Sequence, residues 1–175
     1  MFANLSNTKK AGFFYVLVIA INVTQILIFR AVAPEAGIVV FTHIATPLLV
    51  TVLMLFVVTH DGYGQHGRFG LGLHRSGWRT WGMALLLPLL VLALSYGLDW
   101  LSGVAALVGP TDGGGLPNFI INQLINLLVV TILVLSEEIG FRGYLLPRLL
   151  GLGSKRAVIL SGFAHATWHL PIAAD

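Results

Sequence analysis

Two acids, Glu137 and Glu138, stand side by side at the end of an apolar run, and Arg142 follows Glu138 by four residues. Further along, His165 and His169 are also four apart. A carboxylate with two imidazoles is the ligand set of many catalytic zinc sites, which keep one position open for water. Water bound to such a zinc ionises near neutral pH and becomes a nucleophile. Without a metal, a carboxylate in a dry site serves as general base for the same water, and a histidine orients the water or shuttles its proton.

Spacing divides the two acids. On an α-helix an acid four residues before an arginine is in the favourable orientation for an ion pair, which couples Glu138 to Arg142. Glu137 lies about 100° round the helix from Glu138, so both acids cannot use Arg142 equally and Glu137 is left for chemistry. An acid at the bilayer centre costs roughly 2.5–3.5 kcal/mol, so intramembrane acids face an interior and have partners. Plainer explanations exist for the same residues. Glu138 and Arg142 also suit an interfacial salt bridge, and His165 and His169 suit interhelical hydrogen bonding. Asn122 and Asn126 share a helical face that leads to Glu137, and interhelical hydrogen bonds of about 1 kcal/mol account for them equally well. His43, inside an earlier apolar segment, is read as structural, and His60, His66 and His74 as interfacial.

Helices in lipid must position these groups. The 175 residues are 57% hydrophobic and 10% charged, against about 25% charged in a soluble domain, and the mean hydropathy is +0.89. Five stretches approach the ~20 apolar residues that cross a bilayer, at about 11–28, 38–59, 81–98, 119–138 and 158–170. The fold expected is an all-α, polytopic transmembrane helical bundle in a single domain, without internal repeats. Residues 60–80, rich in Gly, His and Arg, read as an interfacial loop with Trp78 and Trp81 at headgroup depth. The first stretch exceeds the 7–15 apolar residues of a signal peptide, and Pro34 directly follows the Ala31-Val32-Ala33 triplet, so it reads as a retained helix. The chain has no cysteine, so any metal rests on His, Asp or Glu.

With the N-terminus in the cytoplasm, Lys9, Lys10, Arg68, Arg75, Arg79, Arg142, Arg148, Lys155 and Arg156 all fall inside and Arg30 alone outside. That asymmetry is the positive-inside pattern of a cell-membrane protein, and it puts Glu137 and Glu138 at the cytoplasmic end of their helix. The basic residues form no run, so the basic pI near 9.6 reflects topology and no nucleic-acid partner is expected.

The string EEIGFRGYLLPRL followed by WHLP resembles the CPBP family, the CAAX proteases and bacteriocin-processing enzymes also called abortive-infection proteins. Glu137, Glu138 and Arg142 match its first motif, Trp168-His169-Leu170-Pro171 matches the end of its second, and the resemblance covers mainly residues 70–171. It implies an intramembrane endopeptidase with an all-helical core, in a bacterial inner membrane. The implied partner is a peptide or protein substrate, prenylated in eukaryotic systems and linked to peptide processing or self-immunity in bacterial ones. By resemblance Glu137 activates the attacking water, His169 assists, and Glu138 with Arg142 supports the site. Zinc held by Glu137, His165 and His169 and a metal-free mechanism both remain open.

Two departures accompany the resemblance. His165 stands where the family has an aromatic four residues before the histidine, with Phe163 displaced by two. A third family motif, a His with Asn or Asp four residues on, stabilises an oxyanion or completes a metal site. It has no counterpart before Asp175, so the chain reads as truncated. A non-enzymatic immunity factor or scaffold of the same fold is the alternative. A transporter using Glu137 and His169 as a proton relay ranks below both, because five helices without a repeat lack the usual architecture.

Overall fold

The computed structural model describes residues 5–32, 37–60, 71–72, 77–106, 108 and 115–173. Every regular element among them is helical. Helix α1 spans Asn7–Val32. Helix α2 spans Ile38–Leu53 and runs on as a π-helical turn, Met54–Val58. Helix α3 covers Trp78–Leu101, α4 covers Gly115–Glu137, and α5 covers Ser154–Ala173. The chain divides into two units, one of residues 1–73 with 128–175 and the other of residues 74–127.

Among the described residues, four helical stretches are long and apolar enough to cross a membrane: Asn7–Val32, Ile38–Val58, Gly82–Leu101 and Gly115–Leu152. The all-helical, multi-pass architecture expected from composition is therefore present. The fifth expected segment is a helix too, yet it falls outside that group. Lys155, Arg156, His165, Thr167 and His169 dilute its apolar residues. Of the expected loop, residues 61–70 and 73–76, with His66, Arg68, His74 and Arg75, lie outside the described residues, as do the side chains of Trp78 and Trp81.

In the second unit α3 turns a nearly continuous surface of leucines outward, Leu85, Leu87, Leu90 and Leu94 among them. In water that surface would be unsustainable; in a bilayer no penalty attaches, because lipid tails are as apolar as leucine.

The first unit has a true core. Phe14 and Val18 of α1, Val50 and Met54 of α2, Phe141, Tyr144 and Leu145 beyond α4, and Ala157, Ala164 and Trp168 of α5 are buried together. The hydrogen bonds from α1 to α5 climb both helices in the same order. Tyr15 Oη lies 2.8 Å from Thr167 Oγ1, Asn22 donates to the Trp168 carbonyl at 3.2 Å, and Arg30 donates to the Pro171 carbonyl at 3.5 Å.

The fourth segment departs most from expectation. It does not end at Glu137-Glu138. It continues as a π-helix over Glu138–Leu145, one α-turn over Leu146–Leu149 and a 3-10 turn over Leu150–Leu152. The apolar run ends at the acids, but helix formation does not, because Phe141, Tyr144 and Leu145 beyond them bury into the core. π-Helical turns are rare and frequently mark functional sites.

This segment approaches its neighbours too closely for any side chain at two positions. A Cβ on Gly140 would stand 2.4 Å from the Pro47 Cβ, and one on Gly143 would stand 2.5 Å from the Leu71 carbonyl oxygen. Pro47 sits inside α2, where it deprives the carbonyl four residues earlier of its helical donor. Ser136 donates to the nearby Ile44 carbonyl at 2.9 Å, fastening the end of α4 to this weakened turn.

Gly140→Ala is expected to lower the midpoint of thermal unfolding in detergent micelles, by overpacking worth about 1–3 kcal/mol. Gly12→Ala, where an added Cβ meets nothing within 4 Å, is the matched control and should leave the midpoint unchanged or raise it.

Candidate functional site

Each functional side chain is placed by a different local feature. Glu137 is the last residue of α4 before the π-helix, one residue past the Ser136 anchor. His165 and His169 stack one turn apart on α5, with ring centroids 5.3 Å apart. Trp168, fully buried, lies behind both.

Glu137 Oε2 and His165 Nε2 are 3.3 Å apart, with side chains 13% and 24% exposed respectively. One potential ligand atom from each of Glu137, His165 and His169 lies within 4.8 Å of the others. The three residues selected by type and spacing are thus brought together in three dimensions. Two nitrogens and one carboxylate oxygen are a donor set zinc accepts, and a cluster this small needs only side-chain adjustment to close on an ion.

Glu138 turns away from this cluster. Its carboxylate pairs with Arg142, and both side chains are substantially exposed, 40% and 55%. The two adjacent acids thus have different partners, Arg142 for Glu138 and His165 for Glu137, on a turn that is π-helical rather than α-helical.

Aromatic rings fix the imidazoles. Phe141 stacks on His165 with centroids 4.7 Å apart and planes 20° from parallel. Phe163, the aromatic nearest in sequence, is 62% exposed and belongs to the outer face of α5. The position where an aromatic was expected is thus filled by a histidine that reaches Glu137, and the aromatic contact comes from the π-helix.

One residue read as structural, His43, lies directly against the site. His43 of α2 is 2% exposed and stacks almost flat on Trp168, at 4.0 Å and 6°. Its Nε2 lies 3.3 Å from His169 Nδ1, and its Nδ1 lies 2.8 Å from Asn22 Oδ1. Asn22, on α1, is buried and was not singled out from the sequence. The only signal available was a polar residue inside each of the first two apolar segments, which is equally the mark of an interhelical hydrogen bond. Asn122 and Asn126 are exposed and fall in the second unit.

A family model described as "Type II CAAX prenyl endopeptidase Rce1-like" matches residues 118–174. That segment holds Glu137, Glu138, Arg142, His165 and His169, and the match agrees with the CPBP resemblance of the two motifs. No curated protein and no solved structure matches the chain.

The packing ranks the residues by structural cost. Trp168→Ala is expected to destabilise the fold by about 3–5 kcal/mol through the cavity it leaves. Arg142→Gln, which breaks a largely exposed pair, should cost no more than about 1 kcal/mol. Denaturant unfolding of both variants in the same micelle checks the order.

Proposed function

Starting from the Rce1-like match over residues 118–174, we propose that this protein is an intramembrane endopeptidase of the CAAX-protease and bacteriocin-processing type. It hydrolyses a peptide bond with a water activated by Glu137 and the α5 histidines. The observation that carries this reading is the convergence of Glu137, His165 and His169 from two helices onto one small cluster.

Each residue has a defined task. The Glu137 carboxylate accepts the proton of the attacking water, since it is the acid left free when Glu138 is taken by Arg142. His165 donates its Nε2 proton to Glu137 across the 3.3 Å contact, which holds the carboxylate in place. His169 orients the water, and the proton held on Glu137 passes to the leaving amine, so that one carboxylate acts as base and then as acid. Glu138 and Arg142 tie the π-helical turn together behind Glu137.

The same three donors fit a zinc ion. When bound, zinc would be held by Glu137, His165 and His169 and would supply a water of lowered pKa. The substrate class we propose is a peptide or protein, and the Rce1-like description supports one carrying a prenyl group. The charge asymmetry of the sequence supports an N-terminus and a Glu137 end of α4 on the cytoplasmic side, and the family resemblance supports a bacterial inner membrane.

The test is cleavage of a farnesylated C-terminal peptide by the protein in liposomes. Glu137→Gln should reduce the rate by about 100- to 10,000-fold, the range of a general base. Glu137→Gln that cleaves at the wild-type rate would sink the proposal. Metal dependence has its own readout. Zinc binding measured by calorimetry should be lost in His165→Ala and in His169→Ala, and stripping the metal should abolish cleavage until zinc is restored. Full activity in the metal-free protein would show that Glu137 acts as base alone.

A further inference from the structure

The hydrogen bonds around His43 form a chain in which each donor and acceptor is fixed by the one before. The chain begins at the main-chain carbonyl of Trp168, which can only accept. Asn22 lies 3.2 Å from it through its Nδ2, so the amide nitrogen must face that carbonyl and the amide oxygen must face the other way. That oxygen is 2.8 Å from His43 Nδ1, and an amide oxygen also only accepts, so His43 Nδ1 carries the proton. His43 is buried, with an amide and a second imidazole as its polar partners, and an imidazole so placed is neutral. Its Nε2 is then a lone pair. The ring nitrogen 3.3 Å away is His169 Nδ1, which must donate.

We propose that Asn22 and His43 are positioning residues which lock His169 into its Nδ1–H tautomer and leave the His169 Nε2 lone pair to face substrate, water or metal. The partner of one imidazole nitrogen sets what the other can do, and groups that hold a ligating or catalytic histidine in this way tune the site from behind. The chain is also a mechanical brace. Trp168 supplies the first acceptor with its main chain and the stacking surface for His43 with its indole, so the groups that set the tautomer and the ring plane share a residue with α5. It joins α1, α2 and α5 at one point, which ties the first two helices to the chemistry although the family match begins at residue 118.

The catalytic part of this inference rests on the water activation proposed above; the tautomer does not. The experiment is therefore a nitrogen–proton correlation spectrum of protein labelled with 15N-histidine in lipid nanodiscs, at a pH where the imidazoles are neutral. His169 is assigned by comparison with His169→Ala. The expected result is a protonated Nδ1 and a bare Nε2 at His169. A His169 protonated at Nε2 overturns the inference, whatever the protein cleaves.

Two variants extend the test to rate. His43→Gln can keep the pattern, an amide N–H toward Asn22 and a carbonyl toward His169. It should preserve the His169 tautomer and stay within about 10-fold of the wild-type kcat. His43→Phe keeps a ring against Trp168 and removes both nitrogens. It should scramble the tautomer and lower kcat by about 10- to 100-fold, the usual cost of losing such a partner, with little change in KM. His43→Phe cleaving at the wild-type rate overturns the positioning role. If His43→Phe fails to fold, the wild-type spectrum and His43→Gln decide. A correct tautomer in a protein whose Glu137→Gln variant cleaves normally would leave the relay standing and remove only the proposed chemistry.

Discussion

The first unit is organised around the buried indole of Trp168. It touches His43 on one face and lies against His165, His169 and Phe141, while the main-chain carbonyl of the same residue holds Asn22. Four helical segments thus meet at one residue. An aromatic ring of this size has few rotamers once enclosed, and a close-packed interior tolerates little displacement. The imidazoles resting on it inherit that rigidity, which a water-activating site needs because misplacement by an ångström is costly in rate.

The second constraint is backbone geometry. The π-helical turn after Glu137 brings Gly140 against Pro47 and Gly143 against Leu71, closer than any other residue type permits. The same turn carries Phe141 under His165 and leaves Glu138 beside Arg142. A regular α-helix through residues 138–145 would present a different set of side chains to α2 and α5. Burial of Phe141, Tyr144 and Leu145 holds the π-turn in this packing.

The lipid setting gives these contacts their weight. With no water in the hydrocarbon region, an unpaired polar group costs several kcal/mol, so the polar atoms of Asn22, His43, Thr46 and Ser136 pair with one another or with main-chain carbonyls. Pairing of this kind fixes direction as well as energy. That is why a structural network made of an amide and an imidazole also dictates which nitrogen of His169 is bare.

The sequence by itself determined the solvent, the helical class and the chemical inventory. Low charge and five apolar runs demand lipid, and the adjacent acids, the arginine four residues on and the histidine pair were all legible from residue type and helical spacing. The local rule of four residues per neighbouring turn correctly separated Glu138 from Glu137. What spacing along one helix could not decide was anything that depends on a second helix. The continuation of α4 beyond its acids, the filling of the missing aromatic position by Phe141, and the recruitment of Asn22 and His43 all arise from contacts between segments distant in sequence. A lone histidine in an apolar run looks the same whether it joins a site or only a helix pair. Tertiary packing sets Nε2 of His43 3.3 Å from His169, a contact that spacing along one helix could not foretell because it joins two segments far apart in sequence.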